Sequence, residues 1–318
     1  MMHSRRRFDG LGHSRFHPGS NEPSLSYVEG CLSECSRATV DRRFALFRPI
    51  ILVTNAVLAS ALVEVVRAVD VDVPVEVFTG RDGVVDVLAQ RIKPDSLLVC
   101  FSSGVIVPTT VIARLDGPAY NFHAASPDYP GRDVHHFAVY RGVRRYGATA
   151  HKLAARVDAG PIVGVEWFDV LSGTTPEALK GAAIDAALRL YRALMPLMMR
   201  EGELPDIGIA WSGRKWLRSD FRAICRLDPS ISREEFERRY FAFDGGKYDN
   251  LTVMLHGCLL RIDKGGKEDV AADRRKVLCV DATIDREAFE KCRQGLETSG
   301  FDGLAVKLHG RLFRIERE

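Results

Sequence analysis

Apolar and polar positions alternate between strand-like and helix-like spacing from residue 50 onward. The apolar run Ile50–Val53 predicts a buried strand, and the apolar periodicity of Leu58–Val69 predicts a helix. Val75–Phe78 and Ser96–Phe101 predict two further strands. A strand, a helix and a strand in this order favour parallel pairing with crossover helices. The pattern therefore predicts an α/β fold with a doubly wound, mostly parallel sheet.

The pattern changes towards the end of this sheet. Ala119–Phe122 predicts a fourth short strand, and Gly147–Val157 and Ile162–Val170 predict a strand pair that leaves the parallel core. A long helix follows, because Thr175 can cap it and apolar residues recur at spacings of three and four until Gly202. We expect the apolar face of this helix to pack in the core.

Beyond residue 205 the spacing favours a smaller α+β region. Short helices are predicted around Asp220–Cys225 and Arg233–Phe241, and strands around Leu251–Ile262 and Val277–Val280. No internal repeat is expected. Residues 1–45 show neither helical nor strand periodicity, which predicts a disordered extension. The predicted division is thus 1–45 for this extension, 46–205 for a catalytic domain and 206–318 for the α+β region.

Composition narrows the class of protein. A chain of 318 residues suits two domains, and no apolar run approaches the ~20 residues that span a bilayer. The first residues lack the apolar region of a secretory signal, and seven scattered cysteines suit reduced thiols, so we expect a cytoplasmic location away from membranes. The net charge of +3 is not concentrated anywhere, which argues against DNA as a partner and makes tRNA an unfavoured one.

Two polar side chains end the fourth predicted strand. Asn121 and His123 are two residues apart, so they project to the same side of an extended strand. Open parallel sheets bind ligands at the carboxyl edge of their strands. An amide that donates to an oxyanion, next to an imidazole that moves a proton, suits acyl transfer.

A carboxylate follows the next predicted strand. Asp158 precedes the dipeptide Gly160–Pro161, which can present the carboxylate in a fixed geometry. Beside His123, this carboxylate would orient the imidazole and favour its charged form.

These stretches resemble the folate-dependent formyltransferase family over about residues 50–203. The resemblance implies that Asn121, His123 and Asp158 are catalytic, that 10-formyltetrahydrofolate is the co-substrate, and that no metal is needed. It also implies a slot for the pterin ring between the loop after the third strand and the loop before Asp158. The residues of these two loops are Ser102, Ser103, Gly104, Val105, Ile106, Val107, Ala154, Ala155, Arg156 and Val157.

Within that family the resemblance is closest to the sugar N-formyltransferases, which implies a small-molecule amine, carried by a nucleotide-linked amino sugar, as the acceptor. It rests on the loop from His123 to Gly131, the Phe137–Tyr140 segment and the Trp211–Trp216 segment. Ala124 and Ala125 replace the family's Pro and Gly in that loop, which leaves the acceptor open.

Several alternatives remain. Residues 54–58 lack the Gly/Ser-rich phosphate loop of glycinamide-ribonucleotide formyltransferases. Methionyl-tRNA is disfavoured because Lys and Arg nearly balance Asp and Glu from residue 206 onward. N-hydroxyornithine is another candidate acceptor. The rival from a different class is a catalytically silent protein of this folate-enzyme fold that binds a partner or small molecule without turnover. A homodimer is one assembly to test.

Overall fold

Six strands between residues 50 and 169 form the first sheet. The computed structural model describes residues 49–80, 82–245, 247–263, 277–296, 301 and 303–315. The strands of this sheet are β1 (Ile50–Thr54), β2 (Val75–Thr79), β3 (Leu97–Phe101), β4 (Tyr120–His123), β5 (Arg145–Lys152) and β6 (Ile162–Asp169). Their order is β2-β1-β3-β4-β5-β6. The first four strands run parallel and the last two antiparallel, which confirms the predicted mostly parallel α/β fold.

The central strands are buried on both faces, which explains why β1 reads as a continuous apolar run. Ile50 and Leu52 pack into one apolar cluster, whereas Ile51 and Val53 pack into another on the opposite face. Burying an aliphatic side chain of this size contributes roughly 1.5–3 kcal/mol. The two faces together therefore fix β1 in the middle of the sheet.

Four helices connect these strands, and a fifth follows β6. They are α1 (Ala56–Val69), α2 (Val84–Arg91), α3 (Thr109–Ile112), α4 (Val134–Tyr140) and α5 (Pro176–Glu201). The helix α5 begins as its sequence predicts, since the Thr175 hydroxyl accepts from the Ala178 amide at 3.2 Å. It ends at Gly202, and the predicted apolar face is buried. The strand expected over Gly147–Val157 ends earlier, at Lys152, because the following residues turn towards Asp158.

A second six-stranded sheet lies beyond residue 225. Its strands are β7 (Arg226–Leu227), β8 (Thr252–Leu255), β9 (Cys258–Ile262), β10 (Val277–Asp281), β11 (Gly303–Leu308) and β12 (Arg311–Ile315), in the order β10-β11-β12-β9-β8-β7. Its helices are α6 (Arg218–Cys225), α7 (Arg233–Arg239) and α8 (Arg286–Gln294), and a π-helical turn, Tyr240–Asp244, follows α7. Two β-α-β-β units occur here in succession, so the expectation that this region contains no repeat is wrong.

Direct contacts join the two sheets. The Tyr140 hydroxyl donates to the Glu235 carboxylate at 2.6 Å, and the His136 ring donates to the Ala242 carbonyl at 2.7 Å. The described residues all belong to one unit of the chain, residues 43–318. The division at residue 205 stays a prediction, and the predicted extension 1–45 lies outside the described residues. In the part that the structure describes, every helix is too short or too polar to cross a bilayer.

Candidate active site

Polar side chains of β4 and β5 share one face of the first sheet where β4 ends. Asn121 and His123 both lie on β4, two residues apart. In the antiparallel neighbour β5, His151 is the direct partner of Asn121, and Thr149 is the partner of His123. Cross-strand partners project to the same side of a sheet, so His151 joins the pair predicted from the sequence.

The His151 imidazole connects the other groups. Its Nδ1 atom lies 2.9 Å from the Lys152 carbonyl oxygen, which can only accept, so Nδ1 carries a proton. In the neutral ring Nε2 is then an acceptor, and it lies 3.0 Å from the Asn121 amide nitrogen. Asn121 therefore donates one amide hydrogen to His151 and keeps the second for another oxygen.

Asp158 approaches from the loop after β5. Its backbone is left-handed, with φ at 50°. One carboxylate oxygen accepts from the Gly131 amide at 2.9 Å, and the other lies 3.6 Å from His151 Nε2. Burial raises the pKa of this carboxyl, but the charge of His123, the His151 ring beside it and the Gly131 hydrogen bond outweigh burial and lower the pKa to about 2. Asp158 is therefore ionised at neutral pH.

His123 is oriented differently from the sequence-based expectation. Its Nε2 atom donates to the Tyr129 carbonyl oxygen at 3.0 Å. The carboxylate of Asp158 contacts His151 instead, although the charge of His123 still acts on it. With Nε2 protonated, Nδ1 of His123 is an acceptor in the neutral ring and a donor in the charged one. The structure thus brings Asn121, His123 and Asp158 together and inserts His151 between two of them.

Trp211 covers both imidazoles. Its ring lies edge-on to His151, with 5.0 Å between centroids, and 6.1 Å from the ring of His123. Its indole nitrogen donates to the Gly160 carbonyl at 2.9 Å. Trp211 belongs to the chain after α5, so a residue outside the first sheet limits access of water to the site.

Sequence reasoning missed His151 and gave Trp211 no role at the site. A signal for His151 existed, because it is an ionisable side chain that follows the small residues Gly147–Ala150 within the predicted strand. Only the pairing register of β4 with β5 shows that it faces Asn121. For Trp211 no local pattern would have shown the contact.

Two glycines are required for this arrangement. Gly131 has φ at 115°, and a Cβ atom there would collide with the backbone of Trp216. A Cβ atom at Gly160 would collide with the carbonyl oxygen of Lys152. These close approaches place the Gly131 amide and the loop that carries Asp158 against the ends of the strands.

The two predicted folate loops border the same apolar cluster of the first sheet. Val105 from the first loop and Leu153, directly before the second, pack against the same apolar cluster. Ser102 has φ at 43°, and its buried hydroxyl oxygen has no hydrogen-bond partner among the described residues. Ile106 and Val157 are 68% and 39% exposed. A flat heterocycle with polar edges matches such a set, because apolar side chains can cover its faces while Ser102 and backbone groups meet its edge.

The remaining members of this predicted set occupy the same two loops. Ser103 uses its hydroxyl within the loop, where it accepts from the Val105 amide at 3.0 Å. Gly104 and Val107 continue this loop towards α3. Ala154, Ala155 and Arg156 lie between the end of β5 and Val157, and the Val157 carbonyl accepts from the Lys215 ammonium at 3.1 Å.

The chemistry of these groups suits acyl transfer. An amide donor, an imidazole with one free nitrogen and an ionised carboxylate can stabilise negative charge on a carbonyl oxygen and move a proton. Residues 56–194 match the sequence model of the formyl transferase family. This segment therefore matches the formyl transferase family, and the resemblance inferred from the motifs is confirmed.

Solved structures of formyltransferases share the fold. A sugar N-formyltransferase from a Shewanella species is 15% identical, with a TM-score of 0.54, over 68% of this chain and 96% of its own. A 4-N formyltransferase from Francisella tularensis is 16% identical, with a TM-score of 0.53, over the same shares of the two chains. An N-formyltransferase from Helicobacter canadensis, solved with folinic acid and dTDP-3-aminofucose, is 13% identical, with a TM-score of 0.50, over 68% of this chain and 87% of its own. At these identities the similarity establishes the fold alone.

Proposed function

We propose that the protein transfers a formyl group from 10-formyltetrahydrofolate to an amine. The observation that carries the proposal is the convergence of Asn121, His123 and Asp158 on one sheet edge, within the segment that matches the formyl transferase family. Each of the three supplies a function that transfer to an amine needs: a donor to the carbonyl oxygen, a proton carrier and a fixed negative charge.

The two loops around Ser102 and Val157 support a folate donor. They combine an orphaned buried hydroxyl with exposed apolar side chains, and the structurally similar Helicobacter enzyme was solved with folinic acid. In this proposal the loops hold the pterin ring so that the formyl carbon faces the end of β4. The donor supplies the one-carbon group, and the chain supplies position and proton transfer.

Asn121 and His123 act on the reacting atoms. The free amide hydrogen of Asn121 donates to the formyl oxygen as negative charge develops there. The Nδ1 atom of His123 receives the proton that the attacking amine must lose and returns it to the departing nitrogen of the donor. One carbon–nitrogen bond forms, one breaks, and one proton passes from acceptor to donor.

Asp158 and His151 stabilise these states. The ionised carboxylate of Asp158 lies near His123 and offsets the positive charge that this ring carries after it takes up the proton. His151 holds the Asn121 amide in the orientation that leaves its second hydrogen free. His151 is therefore a positioning residue in this proposal.

A nucleotide-linked amino sugar is the acceptor that we propose. The Helicobacter enzyme was solved with such a compound, and the Trp211–Trp216 segment that resembles sugar-modifying relatives covers the site. A phosphate at the start of α1, as glycinamide ribonucleotide would need, is disfavoured because the Asn55 side chain already accepts from the Leu58 amide at 3.1 Å. N-hydroxyornithine and methionyl-tRNA remain alternatives for the test.

The test is a mass-spectrometric assay with the full-length protein. The protein is incubated with 10-formyltetrahydrofolate and, separately, a nucleotide-linked amino sugar, N-hydroxyornithine, glycinamide ribonucleotide or methionyl-tRNA. We expect the amino sugar to gain one formyl group fastest. Tetrahydrofolate without the formyl group is the matched control and must give no product.

Two results would contradict the proposal at different levels. Faster formylation of one of the other three acceptors would refute the sugar assignment and leave formyl transfer standing. Tight binding of 10-formyltetrahydrofolate without transfer to any amine would refute the enzyme and favour a catalytically silent binding protein with the same fold.

A further inference from the structure

A sequence pattern recurs in the carboxyl-terminal region at a constant interval. The segment Leu251–Ile262 reads LTVMLHGCLLRI, and Leu304–Ile315 reads LAVKLHGRLFRI. Upstream of each lies a second matching segment, DPSISREEFE from Asp228 and DATIDREAFE from Asp281. All positions stay aligned without a gap across both segments, which chance similarity of two hairpins does not explain.

The three-dimensional elements recur at the same interval. The first unit is β7-α7-β8-β9 and the second is β10-α8-β11-β12. In both units the first strand pairs parallel with the second, and the second pairs antiparallel with the third. The register also repeats, since Thr252 pairs with Arg261 in one hairpin and Ala305 with Arg314 in the other.

Local hydrogen bonds repeat as well. The Asp228 carboxylate accepts from the Ser230 hydroxyl at 2.6 Å, and the Asp281 carboxylate accepts from the Thr283 hydroxyl at 2.8 Å. Both hairpins turn at a His-Gly pair, and both histidines are left-handed, with φ at 49° for His256 and 45° for His309. Conservation of such a strained turn indicates one ancestral module.

The two units meet through a symmetric strand pair. Their hairpins join where β9 pairs antiparallel with β12, and Arg261 is the direct partner of Arg314, the equivalent position of the other unit. The flanking pairs are Ile262 with Phe313 and Leu260 with Ile315. Replacing each residue by its equivalent in the other unit converts one of these pairs into the other. A pseudo-twofold axis therefore passes between Arg261 and Arg314, as in an isologous dimer interface.

The turn histidine of each unit also contacts the other unit. His256 Nε2 donates to the Ile284 carbonyl at 2.7 Å, and His309 Nε2 donates to the Ile231 carbonyl at 2.7 Å. The same rings pack on the buried phenylalanine of the opposite helix, His256 on Phe289 with 5.4 Å between ring centroids and His309 on Phe236 with 5.3 Å. These reciprocal contacts cannot form within one unit.

We infer that residues 226–262 and 277–315 are two copies of one β-α-β-β module, and that each copy is the binding partner of the other. The interface consists of the β9–β12 strand pair and the exchanged histidine turns. A copy without its partner exposes the edge of β9 or β12 and loses the cover of its helix, so the pair forms one cooperative sheet. The inference is independent of the proposed formyl transfer.

The copies have diverged at the surface that meets the first sheet. In the first copy Phe243 stacks on His136 of α4, with 5.9 Å between ring centroids. The equivalent position in the second copy is Leu296, two residues after the end of α8. One copy therefore attaches the module pair to the catalytic region, and the other completes its sheet.

A hairpin exchange in the full chain tests the equivalence of the copies. The two hairpins differ at four positions, so Ala305→Thr, Lys307→Met, Arg311→Cys and Phe313→Leu give the second hairpin the sequence of the first. We expect this variant to fold cooperatively, with Tm lowered by roughly 5–10 °C from repacking of Ala305 and Phe313. The matched control permutes residues 304–315 so that apolar positions no longer alternate, and it should lose the folded second sheet.

Histidine variants give a second measurement if the exchange variant does not fold. His256→Ala and His309→Ala each remove one exchanged hydrogen bond, so each should lower Tm by about 2–4 °C, and by similar amounts. An exchange variant as disordered as the permuted control, together with a Tm loss in only one histidine variant, would overturn the inference.

Discussion

Histidines serve opposite purposes in the two sheets. In the first sheet His123 and His151 lie at the end of two strands, with an ionised carboxylate and an amide around them. In the second sheet His256 and His309 occupy tight turns, and each donates to a backbone carbonyl of the opposite module. All four rings donate to a backbone carbonyl, but only the first pair also has an amide and an ionised carboxylate beside it.

The difference lies in the neighbours and in the symmetry. A reactive site needs several different groups on one side of a reacting atom, so it breaks symmetry: β4, β5 and the Asp158 loop each contribute something the others lack. An interface between equal modules repeats one contact twice. Contacts from several different groups to one point therefore indicate a reactive site. The same contact made once by each of two units indicates an interface between them.

The largest expected effect is on the rate of formyl transfer, and it distinguishes the histidines of the first sheet from those of the second. His123→Ala should lower kcat/KM for formyl transfer roughly 100-fold or more, because it removes the proton carrier. His309→Ala is the matched control and should retain the rate, since it lies in the second sheet. Steady-state kinetics at saturating donor measures both, and equal losses in the two variants would show that His123 has no chemical role.

Glycine-to-alanine variants compare how much space the two regions leave for an added Cβ atom. Gly160→Ala should lower the free energy of unfolding by about 2–4 kcal/mol, because its Cβ atom collides with the Lys152 carbonyl oxygen. Gly310→Ala meets open space and is disfavoured only by its φ of 85°, which costs about 1–2 kcal/mol. Denaturant unfolding of both variants checks the order, and a larger loss at Gly310 would contradict it.

Acid sensitivity is expected from a third histidine of the first region. Burial, with the nearby charges of His123, Lys180 and His136, lowers the pKa of His135 from 6.5 to about 3. Between these values the unfolded chain binds a proton that the folded chain does not, so the free energy of unfolding falls as the pH is lowered. In His135→Gln this fall should be shallower by up to about 1.4 kcal/mol per pH unit. If plots of the free energy of unfolding against pH stay parallel for the two proteins between pH 7 and pH 4, this role of His135 is disproved.

The smallest expected effect tests the symmetry of the modules. Ser232 caps α7 by accepting from the Glu235 amide at 3.2 Å, and Asp285 caps α8 by accepting from the Ala288 amide at 2.8 Å. Ser232→Ala and Asp285→Ala should each reduce stability by about 1 kcal/mol. Thermal unfolding should show two similar losses, and a silent cap in one module would mean that this helix contributes little to the pair.

The elements of the first sheet could be predicted from the sequence because each depends on residues that are close together in the chain. The apolar run of β1 and the capped, periodic α5 each follow from residues close in the chain. The proximity of Asn121 and His123 also needs only the two-residue period of a strand. The contact of Asp158 with His151 depends on how β5 ends and on the Gly131 amide, which is set by tertiary packing.

The second sheet was harder to predict for a different reason. Its repeat is present in the sequence, but each copy is a short module with mixed polarity, and β11 and β12 carry no signal strong enough alone. Comparing Leu251–Ile262 with Leu304–Ile315 would have revealed both strands. Their pairing across the pseudo-twofold axis joins distant segments, and no local periodicity encodes that.

The position of β12 has a consequence for biosynthesis. This strand lies between β11 and β9 inside the second sheet, yet the ribosome makes it after every other described strand. Domains generally fold as units during synthesis, amino-terminal units first. The first sheet can thus form while translation continues, whereas the nascent second sheet keeps β9 as an open edge until residues 311–315 emerge from the exit tunnel. A premature stop codon before residue 311 would therefore remove a strand from inside the sheet. Two unpaired strand edges, those of β9 and β11, would then be exposed to quality-control proteases.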